Sequence, residues 1–409
     1  MRDFSFLHMA DLHLGSPFKG LSVSDPDAQH RFAQAVRDAV SALVSRALAA
    51  KVDFVVIAGD IYDGEWKDAS VGLFFNREMA RLARADIPVF LIKGNHDAQS
   101  VVTRSVTLPD SVETFGVSKP RTRTIDHLRV ALHGQSYKDR ETLSNLARDY
   151  PAAKPGWFNI GVLHTSLSGD EDHAPYAPCS EADLVAKGYD YWALGHIHQP
   201  RVVRERPPIV YPGNVQGRSV RETGPRGAVL VRVRDGEPTV ERWDEDRVRW
   251  GVTEVDLAGA DDMTADLPER VEAAVAEAVA GADGRPLALR VRLVGETGLH
   301  NELVANADEV RAEVQAAAER VSADVWLEKV KVATRPHNAS PSLAPDLPDD
   351  FDLDGLLATV ADGEALQRVL DADLAQLAKA LGGDPGEGFE ADDILLEARA
   401  LLAARIGGA

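Results

Sequence analysis

The chain has few of the features that mark several large protein classes. Its 409 residues include a single cysteine, Cys179, which excludes an intrachain disulfide and a zinc site built from several cysteines. No apolar run approaches the roughly 20 residues that a membrane-spanning helix needs, so no membrane association is expected. A basic segment followed by an apolar stretch is missing at the N-terminus, which predicts no cleavable signal and a cytoplasmic location. The sequence lacks a glycine-rich phosphate loop with its lysine, and this argues against a nucleoside triphosphatase.

Positive charge is also scarce. The chain carries 45 Lys and Arg against 65 Asp and Glu, a net charge of −20, whereas nucleic-acid-binding proteins usually show a basic footprint. Residues 337–409 hold 15 acidic and 4 basic side chains, or −11, which leaves −9 for residues 1–336. Because two bound divalent cations would add positive charge where a phosphate must sit, the overall charge does not exclude a nucleic-acid partner.

Polar blocks at the ends of apolar, strand-like runs are the main signal in the sequence. A single block of this kind would be explained by a polar turn whose side chains bond their own backbone. The same placement, however, occurs five times in the chain. Strand-like and helical patterns alternate over the first hundred residues, and sheets of that kind bind ligands at the C-terminal ends of their strands. The five blocks are Asp11-Leu12-His13, Gly59-Asp60, Gly94-Asn95-His96-Asp97, His164 and Gly195-His196-Ile197-His198.

The residue types in these blocks predict a metal centre. Asp11 and His13 are two residues apart, so in extended backbone they would face the same side and share one ion. His196 and His198 repeat this spacing. Carboxylates, imidazoles and one amide, with no thiolate, favour ions such as Mn, Fe or Zn. Seven candidates exceed what one ion needs, so we predict two divalent ions with Asp60 as the bridge. The candidate ligands are Asp11, His13, Asp60, Asn95, His164, His196 and His198.

A pair of cations suggests a reaction class. Two ions about 3.5–4 Å apart lower the pKa of a shared water and clamp the attacking and leaving oxygens of a phosphoryl group. The predicted reaction is therefore hydrolysis of a phosphate ester by a metal-activated water. This chemistry requires no nucleophilic serine or cysteine.

In this order, the five blocks resemble the calcineurin-like metallophosphoesterase superfamily. The stretches Asp11-Leu12-His13-Leu14-Gly15 and Gly195-His196-Ile197-His198-Gln199-Pro200 are similar to those of DNA repair exonucleases of the SbcD and YhaO type. The resemblance covers about residues 1–335. It implies an α/β fold in which two mixed β-sheets are sandwiched between helices, followed by a small α+β capping domain.

The resemblance also implies roles for individual residues. His96 would be the catalytic histidine, with Asp97 orienting it, and the preferred metal would be manganese. Archaeal and eukaryotic relatives carry a second active-site histidine where this chain has Asp63, which leaves the balance of exonuclease and endonuclease activity open. The first ion would be held by Asp11, His13, Asp60 and His198, and the second by Asp60, Asn95, His164 and His196.

The chain is predicted to have four regions. Residues 1–250 would form the catalytic domain, which includes a short helix at residues 140–148, and residues 251–335 would form the capping domain. Residues 336–351, rich in proline and acidic side chains, are typical of a linker. Residues 352–409 would form acidic amphipathic helices that either fold on themselves or dock a partner. The family typically pairs with a coiled-coil ATPase, so an SbcC-like ATPase is the expected partner, and a homodimer is a further alternative.

The predicted function is a two-metal-ion, Mn-dependent DNA phosphodiesterase in DNA repair, an exonuclease with endonuclease activity left open. A set of arginines after His198 would either track a nucleic-acid backbone or form a solvated hairpin surface. Two other functions stay open. The same centre would act on a small phosphodiester or a phosphoprotein, or the chain would mainly recruit an ATPase. The arginines are Arg201, Arg204, Arg206, Arg218, Arg221 and Arg226.

Overall fold

The computed structural model describes residues 2–16, 26–63, 69–97, 107–139, 142–167 and 176–336. The predicted helices at 352–409 and nearly all of the predicted linker lie outside these residues. The strands are β1 (Phe4–Met9), β2 (Phe54–Ala58), β3 (Val89–Ile92), β4 (Val112–Thr114), β5 (Arg121–Ile125), β6 (Val130–Gly134), β7 (Phe158–His164), β8 (Tyr191–Gly195), β9 (Arg201–Glu205), β10 (Pro208–Tyr211), β11 (Gly227–Arg234), β12 (Glu237–Asp244), β13 (Arg249–Asp256), β14 (Leu287–Thr297) and β15 (Val325–Pro336). The helices are α1 (Pro26–Ala50), α2 (Ala69–Ala83), α3 (Glu181–Val185), α4 (Asp266–Gly281), α5 (His300–Ala305) and α6 (Ala307–Val321), with a 3-10 helix at Leu146–Asp149.

Two six-stranded sheets carry the first part of the chain. The first sheet has the order β12-β11-β1-β2-β3-β4. Strands β1, β2, β3 and β4 pair in parallel with one another. Strand β11 pairs antiparallel with both β1 and β12. The second sheet has the order β5-β6-β7-β8-β10-β9, with parallel pairs in the centre and antiparallel pairs at both edges. Both sheets are therefore mixed, as predicted.

Strands β1, β2 and β3 of the first sheet bury both of their faces. In β1, Phe6 belongs to an apolar cluster that joins the two sheets, whereas Leu7 packs in a second cluster with α1 and α2. A strand covered on both faces is apolar at successive positions, which explains the uninterrupted apolar runs in the sequence. On the outer face of the second sheet, Trp192 packs against Leu184 of α3. This arrangement confirms the predicted sandwich of two mixed sheets between helices.

A second compact unit comprises Val252–Gly281 and the described residues from Arg290 onward. Its three-stranded sheet has the order β13-β14-β15, and α4 packs against α6. Helix α5, which the sequence pattern did not predict, precedes α6 in the chain. Among the described helices of both units, none is long and apolar enough to cross a membrane.

Two local predictions were wrong, and one strand was missed. The helix predicted at residues 140–148 is reduced to the 3-10 turn Leu146–Asp149, and Tyr150, which precedes a proline, has an extended ψ of 141°. Proline disfavours helical backbone in the residue before it. Strand β5 was not predicted, because its side chains are mostly exposed arginine and threonine and lack an apolar alternation. Strand β15 continues to Pro336, so this residue is not part of a linker.

Gly161 in β7 lies against the buried ring of Trp192 in β8. A Cβ added at Gly161 would come within 2.3 Å of the ring atom Cε3, and the indole N–H donates to the Leu184 carbonyl at 3.2 Å, which limits ring movement. We expect Gly161→Ala to lower the free energy of unfolding by about 1–3 kcal/mol, as measured by chemical denaturation. Gly116→Ala is the control, since no described atom lies within 4 Å of its added Cβ. Equal losses in both variants would contradict this account of the packing.

Candidate metal centre

The seven predicted ligands all lie at the C-terminal ends of parallel strands. Asp11 and His13 follow β1, while Asp60 follows β2 and Asn95 follows β3. In the second sheet His164 ends β7, and His196 and His198 follow β8. Because the two sheets face each other, these strand ends meet at one edge of the sandwich.

The backbone in this region is not extended, contrary to the prediction for Asp11 and His13. Asp11, His13 and Asp60 have φ values of 51°, 45° and 51°, a left-handed conformation that costs a non-glycine residue about 1–3 kcal/mol. The N–H of Asp11 donates to the carbonyl of Gly59 and the N–H of His13 donates to that of Asp60, both at 3.0 Å. Asp11 and His13 therefore reach one place through two turns bonded to each other, and not by sharing a strand face.

A first group of candidate ligands consists of Asp11, His13 and His198, whose ligand atoms lie within 4.8 Å of one another. Nε2 of His13 is 3.0 Å from Nε2 of His198. Two nitrogen ligands with bonds of about 2.1 Å at a right angle on one cation lie about 3 Å apart. The Nδ1 atom of His13 is buried and has no hydrogen-bond partner among the described residues. Burial and then the charge of Arg218 hold the pKa of His13 well below its usual value, so its ring is neutral and able to bind a cation.

A second group consists of Asp11, Asp60 and His164. Nδ1 of His164 donates to the carbonyl of Ala58 at 2.9 Å, so Nε2 of the neutral ring carries a lone pair. That Nε2 nevertheless lies 2.9 Å from Oδ1 of Asn95 and 3.4 Å from Oδ2 of Asp60. Three electron-pair donors that converge in this way require a proton or a cation between them.

The charges around His164 favour a positive ion. Burial alone would lower the pKa of His164, but the carboxylates of Asp60 and Asp11 outweigh it and raise the pKa to about 9. Both carboxylates are buried, with 1% of each residue exposed. Burial raises the pKa of Asp11. At Asp60, burial is outweighed by His164 and His13, which hold its pKa well below the usual range. Buried carboxylates need a paired positive charge, and divalent cations fit this donor set.

His196 contacts the centre through its backbone. Its N–H donates to the two carboxylate oxygens of Asp11 at 3.1 and 3.0 Å. Its ring centroid is 5.3 Å from that of His164 and 5.1 Å from that of Tyr176. None of the candidate groups among the described residues includes His196, so its role as a ligand stays a prediction.

The surroundings of His96 correct one prediction. Nδ1 of His96 lies 2.8 Å from Oδ1 of Asp63, so the carboxylate that orients this ring is that of Asp63. The carboxylate of Asp97 instead accepts from the backbone N–H groups of Gly94, Ile61 and Tyr62 at 2.9–3.1 Å. Asp97 therefore ties the loop after β3 to the loop after β2, and burial followed by the charge of Asp60 raises its pKa to about 6.

His96 is also close to the candidate ligands. It forms a third group with His13 and Asp60, in which the ligand atoms lie within 4.8 Å of one another. About 28% of its side chain is exposed, whereas the side chain of His13 is 1% exposed. His96 thus lies at the rim of the centre, where a substrate could reach it.

Comparison with known proteins identifies the family. Residues 4–200 match the model of the calcineurin-like phosphoesterases, and residues 250–335 match that of the metallophosphoesterase YhaO middle domain. Residues 4–200 belong to the calcineurin-like phosphoesterase family. All seven candidate ligands of this phosphoesterase lie within the first match.

Individual relatives match only part of this chain and at modest sequence identity. The chain is 37% identical over 269 residues to the uncharacterized metallophosphoesterase YhaO of Bacillus subtilis, which covers 65% of this chain and 66% of YhaO. It is 26% identical over 259 residues to the DNA double-strand break repair protein Mre11 of Sulfurisphaera tokodaii, covering 59% of this chain and 63% of that protein. The matches thus span slightly less than two thirds of both relatives. A crystal structure of a dimetal phosphatase from Danio rerio is similar at a TM-score of 0.34 and 13% identity, over 58% of this chain and 98% of that one.

Three residues of the phosphoesterase centre were not predicted as site residues. They are Asp63, Arg218 and Glu222. Nη1 of Arg218 is 3.4 Å from Oδ2 of Asp63, and its Nη2 is 3.0 Å from Oε1 of Glu222. Arg218 and Glu222 belong to the arginine-rich stretch after His198, so the sequence did mark this region. That stretch was interpreted as a surface and not as part of the centre.

The arginines of this stretch do not share one role in the phosphoesterase. Arg226 is buried and donates to the carbonyl of His198 and, at 2.7 Å, to that of Thr223. Arg204 pairs with Glu181 at 2.6 Å on the exposed surface. Arg218 lies inside the centre. Neither interpretation of the six arginines, a nucleic-acid tract or a solvated surface, holds for Arg218 and Arg226, because both are engaged within the fold.

Proposed function

We propose that this phosphoesterase is a two-metal-ion phosphodiesterase that hydrolyses DNA, with Mn²⁺ as its cofactor. The observation that carries the proposal is the pair of candidate groups that share Asp11, one completed by His13 and His198 and the other by Asp60 and His164. The family description names phosphoester hydrolysis. The names of several relatives refer to DNA double-strand break repair, which supports DNA as the substrate.

The donor set divides between two ions in a simple way. Asp11, His13 and His198 would hold one ion, and Asp60, His164 and Asn95 would hold the other, with Asp11 and Asp60 placed to contact both. When bound, the two cations would supply an acidified water and positive charge for the phosphoryl oxygens. The buried carboxylates and the imidazoles of the chain would orient these charges.

His96 is the proposed proton donor to the leaving oxygen. Asp63 accepts the hydrogen bond of Nδ1 and so orients the ring, and the proton would be donated from the other ring nitrogen, Nε2. Burial would raise the pKa of Asp63, but its hydrogen bond with His96 outweighs that effect and holds the pKa below the usual range. A charged Asp63 stabilises a protonated His96, which is the form that can donate a proton.

The proposed partners follow from the family resemblance. We propose that residues 352–409 dock a coiled-coil ATPase of the SbcC type in the cytoplasm. The support is the amphipathic pattern of these residues in the sequence, and they lie outside the part of the chain that the structure describes. Loss of ATPase binding on deletion of residues 352–409, with basal hydrolysis unchanged, is the expected result.

The substrate is tested with purified full-length chain and Mn²⁺. We expect cleavage of linear double-stranded, single-stranded and hairpin DNA, which should stop with a chelator and return with added Mn²⁺. A chromogenic phosphodiester, bis(p-nitrophenyl) phosphate, and a phosphopeptide are assayed in parallel. Asp60→Ala protein, purified in the same way, reveals any contaminating nuclease.

The outcomes separate the candidate functions. Hydrolysis of the small phosphodiester or the phosphopeptide alone would reject DNA and favour a phosphoesterase of small molecules or phosphoproteins. The engagement of Arg218 and Arg226 within the fold is compatible with that alternative, because it reduces the basic surface near the centre. If protein with two bound ions hydrolysed none of these substrates, that result would contradict the proposal of phosphodiester hydrolysis itself.

A further inference from the structure

Glu222 lies behind His198 and makes a full set of hydrogen bonds. Its Oε1 is 2.7 Å from Nδ1 of His198. Its Oε2 accepts from the backbone N–H of Arg218 at 2.7 Å and from the side-chain amide of Asn214 at 2.9 Å. Only 12% of the Glu222 side chain is exposed. A buried carboxylate held at both oxygens cannot turn away from the imidazole it contacts.

This contact determines which nitrogen of His198 carries the proton. An ionised carboxylate can only accept hydrogen bonds, so Nδ1 of His198 must be the N–H donor, and Nε2 must present a lone pair. Asn214 and Arg218 donate to the carboxylate oxygens of Glu222, so Glu222 acts as an acceptor toward all of its partners. The lone pair of Nε2 is directed at His13, whose Nε2 lies 3.0 Å away.

Arg218 connects Glu222 to the opposite side of the centre. Its Nη2 donates to Oε1 of Glu222 at 3.0 Å. Its Nη1 donates to Oδ2 of Asp63 at 3.4 Å and to the hydroxyl of Ser16 at 3.2 Å. Asp63 in turn contacts Nδ1 of His96 at 2.8 Å. One guanidinium therefore joins the two carboxylates that orient His198 and His96, and its planar fork suits this double contact.

We propose that Glu222 and Arg218 are positioning residues of the metal centre. Glu222 fixes His198 in the tautomer that binds metal through Nε2, and Arg218 holds Glu222 and Asp63 at a set separation. The inference rests on the proposed function in one respect, that His198 is a metal ligand. Neither residue is assigned a contact with substrate, because their polar atoms are occupied by protein groups.

Metal affinity measures the role of Glu222 without any substrate. Carboxylates that orient ligating histidines typically contribute 10–100-fold to affinity, so we expect Glu222→Ala to weaken Mn²⁺ binding by about that factor in isothermal titration calorimetry. Glu222→Gln keeps an acceptor for Nδ1 of His198, and its affinity should lie between those of Glu222→Ala and the wild type. Glu181→Gln is the matched control, since it breaks the exposed pair with Arg204 and should bind Mn²⁺ like the wild type.

Two further measurements exclude a merely structural explanation. In metal-free wild-type protein, long-range ¹H–¹⁵N correlation spectra should show His198 with its proton on Nδ1, and in Glu222→Ala this preference should be lost. Arg218→Met should weaken Mn²⁺ binding less than Glu222→Ala does, and at saturating Mn²⁺ it should lower kcat with little change in KM.

The inference can fail independently of the proposed function. A proton on Nε2 of His198 in the wild type would overturn it, as would equal Mn²⁺ affinity in the wild type and folded Glu222→Ala. Either result would leave DNA hydrolysis standing. Conversely, wild-type protein that binds two Mn²⁺ ions but cleaves no DNA would reject the proposed substrate and leave the positioning role intact.

Discussion

Asp60→Ala should remove bound metal and turnover together. Oδ2 of Asp60 lies 3.4 Å from Nε2 of His164 and 3.9 Å from Nε2 of His13, and Asp60 belongs to two of the three candidate groups. Its loss would remove a charged side chain that we propose both ions share, and it also removes the acceptor of the His96 backbone N–H. Because a metal ion supplies several kcal/mol of transition-state stabilisation, we expect kcat/KM to fall at least about 10³-fold.

Elemental analysis of the purified variant tests this expectation directly. Asp60→Ala should contain fewer than two ions per chain after loading with Mn²⁺ and desalting. Asp126→Ala is the control, since Asp126 is an exposed aspartate in the turn after β5 and should retain both ions and full activity. Two tightly bound ions in Asp60→Ala would overturn the bridging role of this carboxylate.

His96→Ala should stop turnover while both ions stay bound. A proton donor typically contributes 10²–10⁴-fold to rate, so kcat should fall by about that factor. The measurement combines steady-state kinetics with metal counting on the same preparation. His127→Ala, at an exposed histidine, is the control for loss of an imidazole.

The geometry makes this a demanding test, because His96 shares a candidate group with His13 and Asp60. Metal loss as large as that in Asp60→Ala would make His96 a ligand and refute the role of proton donor. Asp63→Asn should lower kcat less than His96→Ala does. It leaves the imidazole of His96 in place and changes only the carboxylate that orients it.

The sequence was sufficient to predict the sandwich and the location of the site. Strands β1, β2, β3, β7 and β8 are buried on both faces, so each appears as a mostly apolar run, and each run ends abruptly in groups able to bind a metal. Burial and ligand chemistry are separate signals, and they coincide at the same five places. The predicted fold was therefore confirmed, whereas the assignment of each ligand to an ion stays a prediction.

The details of the site were less predictable because they depend on contacts between residues far apart in the chain. Asp97 follows His96 directly, yet its carboxylate bonds the backbone of Ile61 and Tyr62. Asp63, which does contact His96, is remote from it in sequence. The left-handed turns at Asp11 and His13 are also invisible in the residue types, since they depend on the neighbouring loop after β2.

The division of the centre between the two sheets has a consequence for assembly. His13 follows a strand of the first sheet and His198 a strand of the second, 185 residues later. A nascent chain or a proteolytic fragment that contains one sheet alone would possess at most four of the seven candidate ligands. Binding of two ions would therefore indicate that synthesis has passed residue 198 and that the two sheets have packed together.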